Sequence, residues 1–348
     1  MTVTVEGPAQ RDRLGREGWT DTLERDWQEA LADAQVVRTI CVGGGGVVVL
    51  AHQAERPVVV KCLRHREGPR GMRRGQARRE AAMLKAAQGP HVVKLQEAVV
   101  SASHTFLVME HLPHATLRWR LGQPWAAVDL VAAGLGVTAA LARLHTAEIL
   151  FNDFKLRNLG IGCGPSRGRP DKLVVNLLDF GHARTVAASR ARSRAAGSAD
   201  YAAPESLRPG EISPASDVWA WGRSWHLLAT GDYFTRFRSF DELTRDGRPP
   251  LPPVAAVSRV GLPPALAALI DDCVASDPER RPADGAALHG RLLAVAAAEW
   301  GPALEEQASF VWLSAAEPAT TNRARRDRQR DSRADPQLPE PNPPPEGR

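Results

Sequence analysis

Residues 149–158 read ILFNDFKLRN, an apolar run that ends in an aspartate, with a lysine two positions later and an asparagine five positions later. A polar turn after a buried segment would have the same composition, because Asp and Asn are ordinary turn residues. The alternative is a catalytic constellation. In it Asp153 accepts or orients the proton of an attacking hydroxyl, Lys155 neutralises a phosphoryl group and Asn158 binds a cation.

A second carboxylate, Asp179, lies in LLDFGHA, immediately after the apolar run VVNLL. Mg²⁺ prefers one or two carboxylates together with phosphate oxygens, so an aspartate at the end of a strand is a suitable ligand. Asn158 would offer its amide oxygen to the same cation or to a second one. Each residue alone is a weak signal, and their order along the chain is what favours a common site.

The glycine run CVGGGGVVV at 41–49 is either a flexible hairpin tip or a loop that folds over phosphates. Backbone N–H groups approach a phosphate closely only where no side chain obstructs them. Lys61 ends the strand-like run VVVK, where a buried lysine needs an anionic partner. Glu80 on the predicted helix ARREAAMLKAA would supply a carboxylate, unless it is a surface residue paired with Arg79 or Lys85. The order glycine loop, lysine and glutamate favours the functional interpretation.

The distribution of patterns along the chain predicts an α+β fold with two lobes. The first third has β-branched strand patterns and one helix, and the rest is mainly helical, which indicates a small antiparallel β-sheet lobe joined to a larger α-helical lobe. We expect an N-terminal extension with a helix at 1–34, a two-lobed domain at 35–300 (lobes 35–112 and 113–300), and a C-terminal segment at 301–348 with a disordered Arg- and Pro-rich tail from about 314.

The composition excludes several classes of protein. The chain has 348 residues, 43% of them hydrophobic, which is enough for one large domain or two lobes. Its formal net charge of +5 comes from arginine clusters without interleaved aromatic residues, which argues against nucleic-acid binding. The most apolar stretch, 126–144, contains Asp129 and Arg143 and predicts a buried helix, not a membrane span. Four cysteines without CxxC spacing fit reduced thiols, and we expect a cytoplasmic protein.

The motifs, taken in order, resemble those of the eukaryotic-type Ser/Thr protein kinases, and the match covers about 40–281. FNDFKLRN resembles the catalytic loop, which implies that Asp153 and Lys155 are catalytic. VVVK and the helix after it resemble the lysine–glutamate pair of the family, which implies the same for Lys61 and Glu80.

The resemblance also implies an ATP site with Mg²⁺. ICVGGGGVVVLA resembles the glycine-rich loop, and FLVMEHL resembles the strand that leads into the hinge. Asn158 and the aspartate of an intact DFG, Asp179, are the implied metal ligands. The implied ATP-binding residues are Ile40, Gly43, Gly44, Gly45, Gly46, Val48, Val59, Lys61, Met109, Glu110 and Leu112.

Further motifs resemble the activation segment and its supports. DFG continues with Phe180 and Gly181, and GSADYAAPES resembles the end of the segment, with Glu205 in its closing tripeptide. By the same resemblance, Asp217 in SDVWAWG braces the catalytic loop, and Arg281 in DPERRP pairs with the glutamate. The three tryptophans near Asp217 have helical spacing and are interpreted as core residues.

The function implied by the resemblance is ATP-dependent transfer of the γ-phosphoryl group to a Ser or Thr hydroxyl of a protein substrate. Lys155, in the form D-x-K-x-x-N, favours Ser/Thr over Tyr acceptors by resemblance. A catalytically weak or inactive pseudokinase that acts as a binding module is the first alternative, and a small-molecule phosphotransferase of similar fold is the second. A nucleic-acid partner and a membrane span are not expected.

Four positions depart from the family pattern. Cys41 replaces the first glycine, Val59 replaces the usual alanine and Phe151 replaces the usual histidine, where it would keep an apolar contact with Phe180. Asn152 replaces the arginine that binds a phosphorylated activation segment in the family, so we expect activity without such a phosphate.

Two expectations concern the activation segment itself. If no phosphate is needed, alanine at Ser189, Ser193 and Ser198 should leave turnover largely unchanged. The arginines of this segment (Arg184, Arg190, Arg192 and Arg194) form either a solvated basic loop or a segment that binds an acidic partner, and charge patterning alone does not decide between them.

Overall fold

A computed structural model describes residues 19–43, 46–65, 74–164, 172–191, 197–237 and 239–312. Of the predicted features, Gly44, Gly45, Ser193 and the tail from 314 lie outside these residues, as do Arg192 and Arg194. The described strands are β1 (Ala34–Gly43), β2 (Gly46–Gln53), β3 (Arg56–Arg64), β4 (Leu95–Val100), β5 (His104–Glu110), β6 (Ile149–Leu150), β7 (Leu159–Cys163), β8 (Leu173–Leu177) and β9 (Arg184–Thr185).

The described helices are more numerous in the second half of the chain. They are α1 (Asp21–Ala30), α2 (Arg74–Ala86), α3 (Ala127–Thr146), α4 (Val186–Arg190), α5 (Pro214–Thr230), α6 (Phe240–Asp246), α7 (Val254–Val257), α8 (Pro264–Cys273), α9 (Gly285–Glu299) and α10 (Leu304–Gln307). Short 3₁₀ turns connect several of them, among them Leu117–Arg120 and Leu156–Asn158.

The N-terminal lobe is an antiparallel five-stranded sheet in the order β1-β2-β3-β5-β4. Alternate residues of β2 are buried, as the period of two in a half-buried strand requires. The β2–β3 hairpin turns at Ala54 and Glu55, whose φ angles of 48° and 58° are both left-handed. A two-residue turn of this kind matches the twist of the two strands, even without the usual Asn-Gly pair.

Helix α1 covers one face of this sheet. Thr20 caps the helix by accepting the Leu23 N–H, and Leu23, Trp27 and Leu31 are buried. The Trp27 indole meets Phe106 of β5 edge-on at 5.9 Å between ring centroids. Its Nε1–H also donates to the carbonyl of Ala34 at 3.0 Å, so this residue joins the helix to the sheet by both packing and hydrogen bonding.

A buried polar cluster also holds α1 against the β4–β5 hairpin. One carboxylate oxygen of Asp26 accepts hydrogen bonds from the hydroxyls of Ser101 (2.5 Å) and Ser103 (2.6 Å) and contacts His104 Nδ1 at 3.0 Å. Burial pushes the pKa of Asp26 upwards, but these hydrogen bonds outweigh that effect and lower the pKa below its usual range. The carboxylate is therefore charged and anchored, which favours docking of α1.

The C-terminal lobe is built around α3 and α5. Helix α3 packs against α9 and β8, and among the described residues it is the one helix long and apolar enough to cross a membrane, with 78% of its apolar window buried inside the protein. The tryptophans of α5 are buried, as predicted, and Trp221 and Trp225 stack at 4.7 Å. Two short ribbons, β6–β9 and β7–β8, flank the segments 151–158 and 178–183. The predicted α+β architecture is thereby observed.

We predict that Trp27→Ala lowers the free energy of unfolding by about 3–5 kcal/mol, because it removes a buried aromatic side chain from the interface between α1 and the sheet. Chemical denaturation followed by circular dichroism measures the change. Trp119→Ala is the matched control, since Trp119 is 76% exposed and its removal should have little effect. Equal stability of the two variants would contradict the docking of α1.

Candidate active site

Lys61 on β3 lies between two carboxylates. Its Nζ donates to Glu80 Oε1 on α2 at 2.6 Å and to Asp179 Oδ1, at the end of β8, at 2.9 Å. The side chain of Glu80 is 2% exposed, whereas that of Asp179 is 40% exposed. The alternative in which Glu80 is a surface residue is therefore wrong, and the three predicted residues meet at one place.

The charges of this cluster shift one another's pKa. Burial opposes the charge on Lys61, but the carboxylates of Asp179 and Glu80 outweigh it and raise the pKa of the lysine. Burial raises the pKa of Glu80. For Asp179, the upward effect of burial is exceeded by the charge of Lys61 and by hydrogen bonds, so the pKa is lowered and this carboxylate is ionised at neutral pH.

Gly181 lets the DFG segment approach α2. A Cβ at this position would lie 3.1 Å from both Asp179 Oδ1 and Glu80 Oε2, and the Gly181 N–H donates to Asp179 Oδ1 at 2.9 Å. Glu80 Oε2 is buried, and no described residue forms a hydrogen bond with it. A buried carboxylate oxygen of this kind is a place where a ligand or water donor can bind.

The catalytic-loop residues converge on Asp153. Lys155 Nζ donates to Asp153 Oδ2 at 2.6 Å, and the Asn158 amide donates to the carbonyl (2.9 Å) and Oδ2 (3.1 Å) of Asp153. Ser198 Oγ donates to Asp153 Oδ1 at 3.0 Å and accepts from Lys155 Nζ at 2.9 Å. This arrangement holds a buried carboxylate with both oxygens oriented, so the alternative of an ordinary polar turn does not describe it.

Ser198 was not predicted as a site residue. The sequence analysis placed it among serines whose removal leaves turnover unchanged, and the structure changes that expectation, since its hydroxyl contacts both Asp153 and Lys155. The serine is 45 residues away from the aspartate along the chain, and only a folded activation segment brings the two together. The spacing from Ser198 to the APE tripeptide was the signal that could have identified it.

Asp217 at the start of α5 positions the catalytic loop. Its two oxygens accept the backbone N–H groups of Phe151 (2.7 Å) and Asn152 (2.8 Å). His145 Nδ1 accepts the Gly285 N–H at 2.8 Å, so the proton of this imidazole is on Nε2, which contacts Asp217 at 3.1 Å. The predicted brace is thus a network that fixes the backbone just before Asp153.

Asn152, which replaces the family arginine, is itself a structural link. Its φ of 63° lies in the left-handed region, which Asn tolerates better than most residues. Its amide donates to the hydroxyl of Ser189 at 3.0 Å and to the carbonyl of His182 at 3.2 Å. A neutral hydrogen bond therefore ties α4 of the activation segment to the catalytic loop. The Phe151 and Phe180 rings meet at 5.1 Å, which is the apolar contact expected there.

The arginines of the activation segment do not form one exposed surface. Arg184 is buried and donates to the carbonyl of Ala183, whereas Arg190 is exposed. The other two lie outside the described residues. The interpretation of Arg184 as part of a solvated loop is therefore wrong.

The predicted nucleotide residues that the structure describes come mostly from strands β1, β2, β3 and β5. Gly46 has a φ of 147°, and a Cβ there would lie 1.8 Å from the Cys62 carbonyl, so only glycine fits at the start of β2. Val48 is opposite Lys61 and Val59 is opposite Met109 in the strand register.

The predicted hinge residues Glu110 and Leu112 lie at the end of β5 and just after it. The Glu110 carboxylate accepts the Lys94 N–H at 2.8 Å, and the Glu110 N–H donates to the Lys94 carbonyl at 3.0 Å, so both groups are engaged with Lys94. Leu112 is partly buried and its side chain lies beside Gly160 of β7. Gly43 ends β1 and Ile40 is 43% exposed near it. The roles of these residues in binding ATP stay predictions.

The donor set fits a divalent cation bound with phosphate. Because the Asn158 amide nitrogen donates to Asp153, the amide oxygen of Asn158 is turned away and remains available. Asp179 is ionised and partly exposed, and Lys61 and Gly181 both donate to its Oδ1. Among the described residues no group of three or more His, Cys, Asp or Glu is suited to hold a metal. A cation here would therefore need phosphate oxygens as further ligands, as Mg²⁺ prefers.

Glu205 and Arg281 form the predicted buried pair. The guanidinium donates to both carboxylate oxygens, Nη1 to Oε1 at 2.8 Å and Nη2 to Oε2 at 2.9 Å. Ser216 Oγ donates to Oε1 at 2.7 Å, and Arg281 also bonds the carbonyl of Ala215. This bidentate pair fixes the end of the activation segment to the C-terminal lobe.

Comparison with known proteins agrees with this geometry. Residues 34–293 match the protein kinase domain family. The chain belongs to the protein kinase family. The predicted membership of the protein kinase family and the predicted bilobal fold are thereby confirmed. The family implies a phosphotransferase that uses ATP with a divalent metal.

The relatives of this kinase include both specificity classes. It is 32% identical over 187 residues to the non-receptor tyrosine-protein kinase TNK1 of Mus musculus, covering 51% of this chain and 27% of that protein. It is 29% identical over 288 residues to the serine/threonine-protein kinase PknL of Mycobacterium tuberculosis, covering 80% of this chain and 69% of that protein. The kinase thus spans about a quarter of the length of one relative and about two thirds of the other.

Removing the guanidinium of Arg281 would leave Glu205 charged and buried, so we predict that Arg281→Ala destabilises the kinase by about 3–5 kcal/mol. Arg281→Lys should lose less, because it keeps the charge but not the two-pronged geometry. Thermal and chemical denaturation measure both. Arg208→Ala, which breaks an exposed pair with Glu211, is the control with little expected loss. If Arg208→Ala were the least stable of the three variants, the proposed contribution of the buried Glu205–Arg281 pair would be contradicted.

Proposed function

We propose that this kinase transfers the γ-phosphoryl group of ATP to Ser or Thr hydroxyls of a protein substrate. The observation that carries the proposal is the convergence of Lys155, Asn158 and Ser198 on Asp153, beside the ion pair of Lys61 and Glu80. The serine/threonine kinase PknL supports the Ser/Thr assignment, whereas the tyrosine kinase TNK1 does not distinguish the acceptors.

In this proposal Asp153 orients the acceptor hydroxyl and accepts its proton. Lys155 bridges Asp153 and Ser198 and offsets negative charge on the phosphoryl group in transfer. Lys61, fixed by Glu80, binds the α- and β-phosphates. A divalent cation, for which Mg²⁺ is the expected ion, would be held by Asn158 and Asp179 and would supply charge neutralisation of the phosphates. Positioning of the acceptor hydroxyl and the phosphates accounts for most of the rate acceleration.

A catalytically weak pseudokinase is the second candidate, supported by the departures at Cys41 and Val59. Cys41 stands where the family has a glycine and Val59 has a side chain larger than alanine beside Met109, which narrows the adenine pocket. The proposal of activity is favoured because no departure falls on Lys61, Asp153 or Asp179. A cytoplasmic location and the domain boundaries given above stay predictions.

The test is phosphoryl transfer from labelled ATP with Mg²⁺ to peptides that differ only in a Ser, Thr or Tyr acceptor. We expect transfer to Ser and Thr, and a loss of at least about 100-fold in Asp153→Asn, which keeps the shape but not the base. Asp33→Asn, at an exposed turn, is the matched control. Transfer to Tyr alone would overturn the acceptor assignment.

The absence of any transfer that depends on Asp153 would support the pseudokinase instead. Nucleotide binding measured on the same preparations separates the two cases, since a pseudokinase that binds nucleotide gives the binding signal without turnover. The Asp153→Asn variant should retain binding, because its side chain contacts the acceptor side of the site.

The two described serines of the activation segment should behave differently. Ser198→Ala removes two hydrogen bonds from the Asp153–Lys155 pair, and we expect kcat to fall about tenfold or more, with activity largely restored by Ser198→Thr. Ser189→Ala should change kcat little, because the Asn152 amide keeps its carbonyl acceptors. Steady-state kinetics measures both, and a larger loss in Ser189→Ala would show that α4 must be tied to the loop for activity.

A further inference from the structure

A broad groove opens beside the proposed acceptor site. It has a volume of about 1000 Å³, and its lining includes Lys155 and Ser198, two of the residues that contact Asp153. Five basic and three acidic side chains line it. A segment of protein that places a hydroxyl at Asp153 would have to lie in or along this groove, so its charges bear on which segments fit.

Most of the basic lining residues already have partners. Lys155 is bound to Asp153 and Ser198. The guanidinium of Arg236 lies over the ring of Tyr233 at 4.1 Å. The third, Arg245, forms an ion pair with its sequence neighbour Asp246 at 2.7 Å.

The acidic lining residues are Asp200, Asp241 and Glu242. Asp200 Oδ1 accepts the Phe237 N–H at 2.5 Å, so this carboxylate is used to shape the wall itself. Asp241 and Glu242 are on the first turn of α6, an element separate from the catalytic loop.

Two guanidinium groups remain, those of Arg118 and Arg157. In the parts of the chain that the structure describes, neither has a carboxylate partner, and Arg157 is exposed. They lie on adjacent turns, because the 3₁₀ turn Leu117–Arg120 packs against the 3₁₀ turn Leu156–Asn158. Arg157 is two positions after Lys155, so this pair of cations is at the acceptor end of the groove.

We propose that Arg118 and Arg157 bind carboxylate side chains that flank the acceptor residue, so that the kinase selects acidic protein segments. A guanidinium group binds a carboxylate through two parallel N–H···O bonds, and two such groups side by side set a preference for Asp and Glu near the acceptor. Cationic clefts also accelerate the encounter with acidic partners, in a salt-dependent way. The proposal names the substrate class of the function proposed above and rests on it.

The test measures binding apart from catalysis. Three fluorescently labelled peptides share one central serine and differ in flanking residues, which are Glu, Ala or Lys, and their binding to the full chain is followed by fluorescence anisotropy. We expect the Glu peptide to bind about tenfold more tightly than the Ala peptide at low salt, with the difference shrinking at high salt. The double variant Arg118→Glu/Arg157→Glu should abolish this preference or reverse it towards the Lys peptide.

Arg56→Glu is the control, because it makes the same charge reversal at a single position outside the groove. Arg56 is exposed at the start of β3 and does not line the groove. It should keep the preference of the parent kinase. Equal affinity for the three peptides, preference for Lys, or an unchanged preference in the double variant would each overturn the proposal.

The same peptides in the labelled-ATP assay separate the two proposals. If the kinase transfers phosphate, kcat/KM should follow the order Glu, Ala, Lys, and the double variant should change KM more than kcat. If no peptide is phosphorylated but the Glu peptide binds through the two arginines, the proposed catalytic function fails and the acidic-partner surface stands. Phosphorylation without any charge preference would support the catalytic function and contradict the proposed selection of acidic segments.

Discussion

The charge of Lys61 is the constraint on which the active site depends. A lysine that is largely withdrawn from water is stable only with anionic partners, and it has two, one on α2 and one at the end of β8. Because the partners come from separate elements, the position of α2 and the conformation of the DFG segment are coupled through one ammonium group. Gly181 makes the coupling sterically possible, since a side chain there would crowd both carboxylates.

The catalytic loop is held by a second and independent set of contacts. Asp217, at the N-terminal end of the buried helix α5, accepts two consecutive backbone N–H groups, and a neutral His145 links it to Gly285 at the start of α9. These bonds support a left-handed residue directly before Asp153. The loop conformation is therefore determined by the core of the larger lobe, and Asp153 is presented on rigid backbone.

Much of this could be predicted from residues that are close in sequence or match a family motif. The alternation of buried residues in β2, the capped stripe of α1 and the buried tryptophans of α5 are local patterns with a direct physical cause. The pairing of Lys61 with Glu80 was favoured by the order of the motifs, and that of Glu205 with Arg281 was implied by the family resemblance. The polar cluster around Asp26, the contacts of Ser198 and the link from Asn152 to Ser189 were not predicted, because each joins residues from different elements and none has a local period.

The sequence by itself determined the fold class, the order of the motifs and the chemical types of the site residues, since binary patterning and short-range spacing are properties of the chain alone. Only the tertiary structure decided which neighbours those residues have. It made Ser198 a hydrogen-bond partner of Asp153 and buried Arg184. It also placed Arg118 and Arg157 in the lining of one groove, where neither has a carboxylate partner among the described residues. The physical reason is that hydrogen bonds, burial and unpaired charge depend on distances between residues far apart in the chain, which only folding brings together.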